Sequence, residues 1–223
     1  MDQTKRTWQE LVPERYHRFA KVFSEEGSEK FPDQRPWDHA IDLKPDAPMS
    51  INCQVYPLSP TEKQEQQKFL DQNLRLKRIC HSKSPYISGF FFIKKKDEKF
   101  RPVQDYQNLN KWTIPNKYPL LLIPKLIYKI SGKRWSTKFD IRWGYNNVCI
   151  KEGDEWKAAF KTSNGLFEPT VMFFGLTNSP TTFQTMIDDK LKEEINSGDI
   201  LVYMDDIVVH MNGTLEDHMH YME

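Results

Sequence analysis

Ile200-Leu201-Val202-Tyr203-Met204-Asp205-Asp206-Ile207-Val208-Val209-His210 is the stretch whose reading decides the fold. Two aliphatic runs flank a polar step at Met204-Asp205-Asp206, a pattern that predicts two short strands and a hairpin with acidic residues at its tip. Further back, Trp135-Ser136-Thr137-Lys138-Phe139-Asp140-Ile141 is another strand-like run, and it carries Asp140 near its end. Carboxylates at the ends of buried strands are costly unless cations meet them. Three at adjacent strand ends repel one another and raise at least one pKa. Magnesium, a hard ion that takes oxygen ligands, removes that penalty. Two such ions about 4 Å apart can clamp an in-line displacement at phosphorus. Taken alone, the hairpin also reads as a surface turn, because Asp is a common turn former.

Around this centre the periodicity changes several times. Asn178-Ser179-Pro180 opens a helix that runs to about Glu194 and ends at Ser197-Gly198-Asp199, while Thr214-Leu215-Glu216-Asp217 has the pattern of a capping box at the start of another. Residues 147–150 and 155–162 read as strands, with Gly165 marking the turn after them. Residues 119–130 read as a short helix rich in Leu and Ile. Residues 89–95 and 99–106 read as two strands joined at Lys96-Asp97-Glu98, a ribbon carrying Lys94, Lys95, Lys96, Lys99 and Arg101. Ser59-Pro60-Thr61-Glu62 starts a polar helix that reaches about Leu76. Residues 1–23 read as helical, with Tyr16, Phe19, Ala20 and Phe23 on one side, and residues 1–55 as a connecting arm with little core of its own. This order predicts an α+β fold built on an antiparallel sheet.

The chain has 223 residues, enough for one large domain or two small ones, and 38% of them are hydrophobic, which excludes a fibrous or broadly disordered protein. No run approaches the roughly 20 apolar residues of a membrane helix, and Met1–Glu10 has no apolar core of a secretory signal. Cys53, Cys80 and Cys149 are odd in number and widely spaced, so they form neither a zinc pattern nor a disulfide framework; the setting is reducing and intracellular. The net charge of +1 hides a segregation. Residues 75–134 carry 15 Lys/Arg against 3 Asp/Glu, and residues 135–223 carry 7 against 15. A basic middle beside an acidic end points to a polyanion-binding surface next to a cation-binding site; clustering on solvated faces is the plainer alternative.

The ordered set RPWDHAIDLKPDA, YPLSPTE, SKSP, IKKKD, RPVQDYQNLN, TIPNKYPL, STKFDIRWGYNN, IKEGDEWKAAF, GLFEPTVMFFGLTNSPTTFQTM and VYMDDIVV covers nearly the whole chain. It resembles the reverse transcriptase of gypsy-like LTR retrotransposons, and within that group the fungal branch. The resemblance implies a right-hand polymerase: fingers at 56–134 with the basic hairpin 89–106, and a palm, incomplete, at 135–223. It implies RNA-directed DNA polymerase activity on a primed RNA or DNA template with deoxynucleoside triphosphates. The implied cofactors are two Mg2+ ions, with Mn2+ able to substitute. Asp140 and Asp205 match the principal metal ligands and Asp206 the third carboxylate. Tyr145 matches the residue under the sugar ring that rejects a 2′-hydroxyl. Phe174, Gly175 and Gln184 match positions beside the nucleotide and its template partner. Lys95 and Arg101 match the pair that grips the triphosphate, a role suited to the forked donors of arginine. The expected setting is a cytoplasmic particle or the nucleus, without membrane, together with other polyprotein domains or further copies of the chain.

Several residues depart from that pattern. Glu98 stands where the fingertip turn usually has Gly, at a position that often needs a left-handed backbone. Gln107 replaces an arginine, Cys149 a basic residue, and His81 a proline. The family's last palm strand, primer-grip hairpin, thumb and RNase H are not matched, so the chain reads as truncated before them. On that reading it is expected to bind primed template weakly and extend it poorly. The alternative is a nucleic-acid-binding remnant without turnover.

Overall fold

The computed structural model describes residues 7–94, 98–119 and 123–223. The first segment folds as α1 (Trp8–Leu11), a 3₁₀ turn (Glu14–Phe19) and α2 (Ala20–Phe23). These are pieces of the helix expected over residues 1–23. Pro13 breaks it, because proline has no amide hydrogen to give and blocks the preceding turn. α3 (Pro60–Arg75) begins as its sequence implies. Ser59 N–H donates to Glu62 Oε2 at 2.8 Å and Glu62 N–H to Ser59 Oγ at 3.3 Å, a reciprocal capping box. There follow β1 (Ile79–His81), β2 (Gly89–Lys94), β3 (Phe100–Asp105), α4 (Gln107–Trp112), α5 (Ile123–Ile130) and β4 (Trp135–Asp140). The second half adds β5 (Phe160–Thr162), β6 (Gly165–Pro169), α6 (Ser179–Lys190), α7 (Lys192–Ser197), β7 (Ile200–Tyr203), β8 (Asp206–Met211) and α8 (Leu215–Tyr221).

Three expectations need correction. Residues 147–150 are not a strand. A 3₁₀ turn covers Gly144–Asn147, and Cys149 and Ile150 make only single bridges, to Val171 and His39. The strand expected over 155–162 starts as another 3₁₀ turn, Glu155–Ala158, and only β5 is extended. The helix expected to run to Glu194 breaks at Leu191, whose φ of −111° and ψ of 27° leave the helical region before α7 resumes. α4 was not expected. QNLNKW has two asparagines, which favour helices weakly, and the helix is held by Leu109, buried with Tyr106, Ile41 and Ile150.

Among the described residues the strands form three antiparallel sheets: β1-β6-β5, the β2-β3 ribbon, and β4-β8-β7. Three apolar clusters join them to the helices and loops. Leu70 of α3, Phe90, Phe160, Phe167 and Phe173 pack between α3, the ribbon root and the first sheet. Phe183 and Ile187 of α6 pack on Val202 and Val209 of the third sheet, with Phe139 and Ile207 beside them. A further cluster joins Ile41 and Ile51 to Tyr86, Tyr106 and Leu109. The ribbon is buried at its root, where Phe90 is 2% exposed, and open towards its far end, where Ile93 is 48% exposed. Its turn contains Glu98 at φ 60°, the left-handed conformation expected there. Lys95, with the rest of the turn at residues 96 and 97, lies outside the described residues.

Glu98→Gly removes the cost of that backbone, about 1 kcal/mol. Amide exchange in β2 and β3 should slow severalfold; unchanged protection would show that the turn carries no strain.

His39 anchors the N-terminal segment. It is 1% exposed, its Nδ1 lies 3.0 Å from Thr182 Oγ1, and its backbone bonds Cys149 and Lys151. Burial pushes its pKa down to about 4, against a smaller upward pull from Asp154. The native state therefore prefers the neutral ring. This stabilisation is complete above pH 6.5 and is lost as the pH falls through 4. It amounts to about 3 kcal/mol at one unit per 1.36 kcal/mol. Denaturant titrations should show that step between pH 6.5 and 4, and His39→Gln should flatten it. Equal slopes for the two proteins would refute the assignment.

Candidate active site

The third sheet brings the acidic residues together. Asp140, last in β4, stands directly opposite Asp206, first in β8, and Tyr203 opposes Asp206 from the other side. One residue further on, Ile141 N–H donates to the Asp205 carbonyl at 2.9 Å. The separation of 65 positions between Asp140 and Asp205 thus closes to adjacent strand ends. Alternation along β4 buries Thr137 and Phe139 partly and exposes Lys138 and Asp140. Directly opposed residues of an antiparallel pair share a face, so Lys138, Asp140 and Asp206 lie on the open side of the sheet.

The hairpin tip is built on a strained residue. Met204 has φ 55° at the first position of a two-residue loop, where primed hairpin turns need a positive φ. For a residue with a side chain this costs about 1 kcal/mol or more. It persists because the surroundings hold it. Met204 N–H donates to Gln184 Oε1 at 3.2 Å, and Gln184, 1% exposed, donates from Nε2 to Asp188 Oδ1 at 2.8 Å. Tyr118 O–H donates to the other oxygen, Asp188 Oδ2, at 2.7 Å. A chain of hydrogen bonds therefore runs from residue 118 through α6 to the tip.

Aromatic rings lie beneath it. The Tyr145 ring is 4.7 Å from Phe174 and 5.3 Å from Phe183, edge-on to both, and its hydroxyl reaches Met204 Sδ at 3.9 Å. Burial raises the Tyr145 pKa, and the charge of Asp205 adds to this. Gly144 makes the approach possible. A Cβ there would stand 3.0 Å from Phe183 Cζ and 3.5 Å from Asp205 Cβ. Gly175, next to the exposed Phe174, has φ 101°, and a Cβ on it would meet the Gln104 carbonyl at 3.3 Å. Asn110 of α4 clamps this loop: its Nδ2 donates to the Gly175 carbonyl at 2.7 Å and its Oδ1 accepts from Thr177 N–H at 3.0 Å. Asn178 makes a similar stitch, donating to the Ile114 carbonyl and accepting from Asn116 N–H, each at 2.9 Å.

Residues 93–223 match the sequence profile of reverse transcriptase (RNA-dependent DNA polymerase). The chain belongs to the reverse transcriptase family. It is 33% identical over 210 residues to the transposon Tf2-3 and Tf2-4 polyproteins of Schizosaccharomyces pombe. The match covers 94% of this chain and 16% of each polyprotein, so the chain spans about a sixth of the length of these relatives. Among solved structures, a prototype foamy virus protease-reverse transcriptase superposes with a TM-score of 0.78 at 22% identity, covering 96% of this chain and 30% of that one. The foamy viral protease-reverse transcriptase in complex with RNA/DNA hybrid does so at 0.74 and 20%, covering 95% and 29%. At those identities the likeness is one of fold, and it agrees with the α+β reading.

Reverse transcriptases generally use divalent metal ions. The donor chemistry in this domain fits: three carboxylates at adjacent strand ends are hard oxygen donors of the kind magnesium takes. Among the described residues no group of three or more His, Cys, Asp and Glu side chains is placed to hold an ion. Asp206 is turned to Lys138, with Nζ 2.8 Å from Oδ1. Of the other residues singled out in the sequence, Tyr145, Phe174 and Gln184 gather under the tip, and Gly175 adjoins them. Arg101 is held by the ribbon, exposed and opposite Ile93; Lys95 lies outside the described residues.

Lys138, Gly144, Asn110 and Asn178 were missed by sequence reasoning. Lys138 could have been found by alternation, since it shares the face of Asp140. The asparagines give no local signal, because their partners lie more than 60 positions away.

Gln184→Leu removes the acceptor of Met204 N–H and one partner of Asp188. The loss should be about 1–3 kcal/mol of stability, with faster amide exchange at Met204. Stability within 0.5 kcal/mol of the parent, about the spread of a neutral surface change, would show that the tip holds itself.

Proposed function

We propose that this chain is the polymerase part of a gypsy-like retrotransposon polyprotein and adds deoxynucleotides to a primer on an RNA or DNA template. The observation that supports this best is the register of β4 on β8, which sets Asp140 against Asp206 and Ile141 against Asp205. In this reading residues 56–134 are fingers, residues 135–223 belong to an incomplete palm, and residues 1–55 form an N-terminal connecting arm.

Asp140, Asp205 and Asp206 would hold two divalent ions, magnesium or manganese, which would neutralise the charge that develops on the attacking and leaving oxygens at phosphorus. The remaining work belongs to the chain's own groups. Tyr145, wedged between Phe174 and Phe183, forms the floor under the sugar and excludes a 2′-hydroxyl by contact. Phe174 and Gly175 pack on the incoming base and its template partner, with the missing Cβ of Gly175 leaving room for the Gln104 carbonyl behind the loop. Gln184 fixes the tip so that Asp205 keeps its position, and positioning errors near 1 Å cost about a hundredfold in rate. Arg101, with Lys95, takes the triphosphate on the basic ribbon. The domain acts inside the cell, in a cytoplasmic particle or the nucleus, with other polyprotein segments or further copies of itself. Among the described residues no helix is long and apolar enough to cross a membrane.

Extension of a labelled primer on an RNA template tests the reading. It should require magnesium or manganese and fall at least a hundredfold in Asp205→Asn, the loss of several kcal/mol of charge stabilisation. Tyr145→Ala should raise ribonucleotide incorporation about tenfold or more relative to deoxynucleotide. Synthesis that survives Asp205→Asn would end the proposal.

A further inference from the structure

Asp206 already has a cation. Lys138 Nζ lies 2.8 Å from its Oδ1, with the two side chains 60% and 40% exposed. The pairing follows from register. Asp140 faces Asp206 across the strands, and Lys138 sits two residues before Asp140 on the same face, so it reaches Asp206 on the diagonal. Without it, two carboxylates would stand directly opposite each other, with a third one residue away, and like charges placed so are destabilising.

We propose that Lys138 is a counter-ion of Asp206 that a divalent ion must displace to bind there. The inference rests on the reading of Asp140, Asp205 and Asp206 as ion-binding carboxylates. Lys138 then acts as a positioning residue. It offsets the repulsion at the strand ends before the ion arrives and weakens ion binding by the strength of the pair it must give up. Exposed pairs of this kind are weak, so the penalty is limited to a few-fold in affinity.

Manganese binding to the whole chain, read as free Mn2+ by electron paramagnetic resonance, tests this without nucleic acid or turnover. Lys138→Met keeps the apolar stem and removes the charge; it should bind Mn2+ two- to fivefold more tightly than the parent. Lys138→Arg should stay near the parent value. In Asp206→Asn, where the pair is already broken, adding Lys138→Met should change little. Lys138→Gln gives a second neutral variant, and circular dichroism checks that each protein is folded. Unchanged or weaker binding in both neutral variants would overturn the proposal. So would an enhancement that persists at full size in Asp206→Asn, which would mark a general field effect. Asp205→Asn separates the two readings. If it removes Mn2+ binding from the parent, the ion site stands whatever Lys138 does; if the parent shows no binding that depends on Asp205, both readings fall.

Discussion

The register between β4 and β8 is the constraint on which the rest depends. Strand pairing has a period of two, so a slip by one residue would turn Asp140 into the apolar layer and Phe139 out to solvent. The cluster of Phe139, Ile207, Val202 and Val209 against α6 makes that slip expensive. Burial on one face therefore positions charge on the other, and no contact between the carboxylates themselves is needed. Repulsion between them is accepted because the apolar layer outweighs it and because Lys138 offsets part of it.

The hairpin tip shows how a costly local conformation is maintained. Met204 adopts a left-handed backbone without being glycine. The buried amide of Gln184 takes its N–H, and Asp188 and Tyr118 fix that amide in turn. Tyr145 and Phe183 fill the space below, and Gly144 leaves them room to do so. Each group here supports the turn on which Asp205 sits. Substitutions at Gln184 or Gly144 are therefore expected to disturb structure and site together, whereas Lys138, exposed on the open face, allows the electrostatics to be altered alone.

The asparagine stitches extend this support across the chain. Asn110 holds the Gly175 loop to α4, and Asn178 holds the start of α6 to residues 114 and 116. Hydrogen bonds of this kind give the backbone groups of exposed loops fixed partners. They tie the segment after the basic ribbon to the half that carries the carboxylates.

Much of this was legible in the amino-acid order. The aliphatic runs at 200–203 and 207–209, the capping boxes at Ser59 and Thr214, and the ribbon with its left-handed Glu98 are local signals, because neighbours in sequence decide them. The α+β class and the membership of Asp140, Asp205 and Asp206 in one constellation followed from those elements together with the ordered motifs. Sequence reading failed where the deciding partner was remote. α4 exists because Leu109 is buried under Ile41 and Ile150, not because its residues favour a helix. Residues 147–150 lost their strand to a tight turn that brings Tyr145 under the hairpin. Lys138 reads along the chain as a solvated lysine; only pairing of β4 with β8 sets it against Asp206. The sequence by itself determined the extended runs at 89–94, 100–105, 135–140, 200–203 and 206–211, the capped helix starts at Ser59 and Thr214 and where charge is concentrated, since those depend on backbone preference and periodicity. Only the tertiary structure decided which charges meet, because that depends on register between segments far apart in the chain.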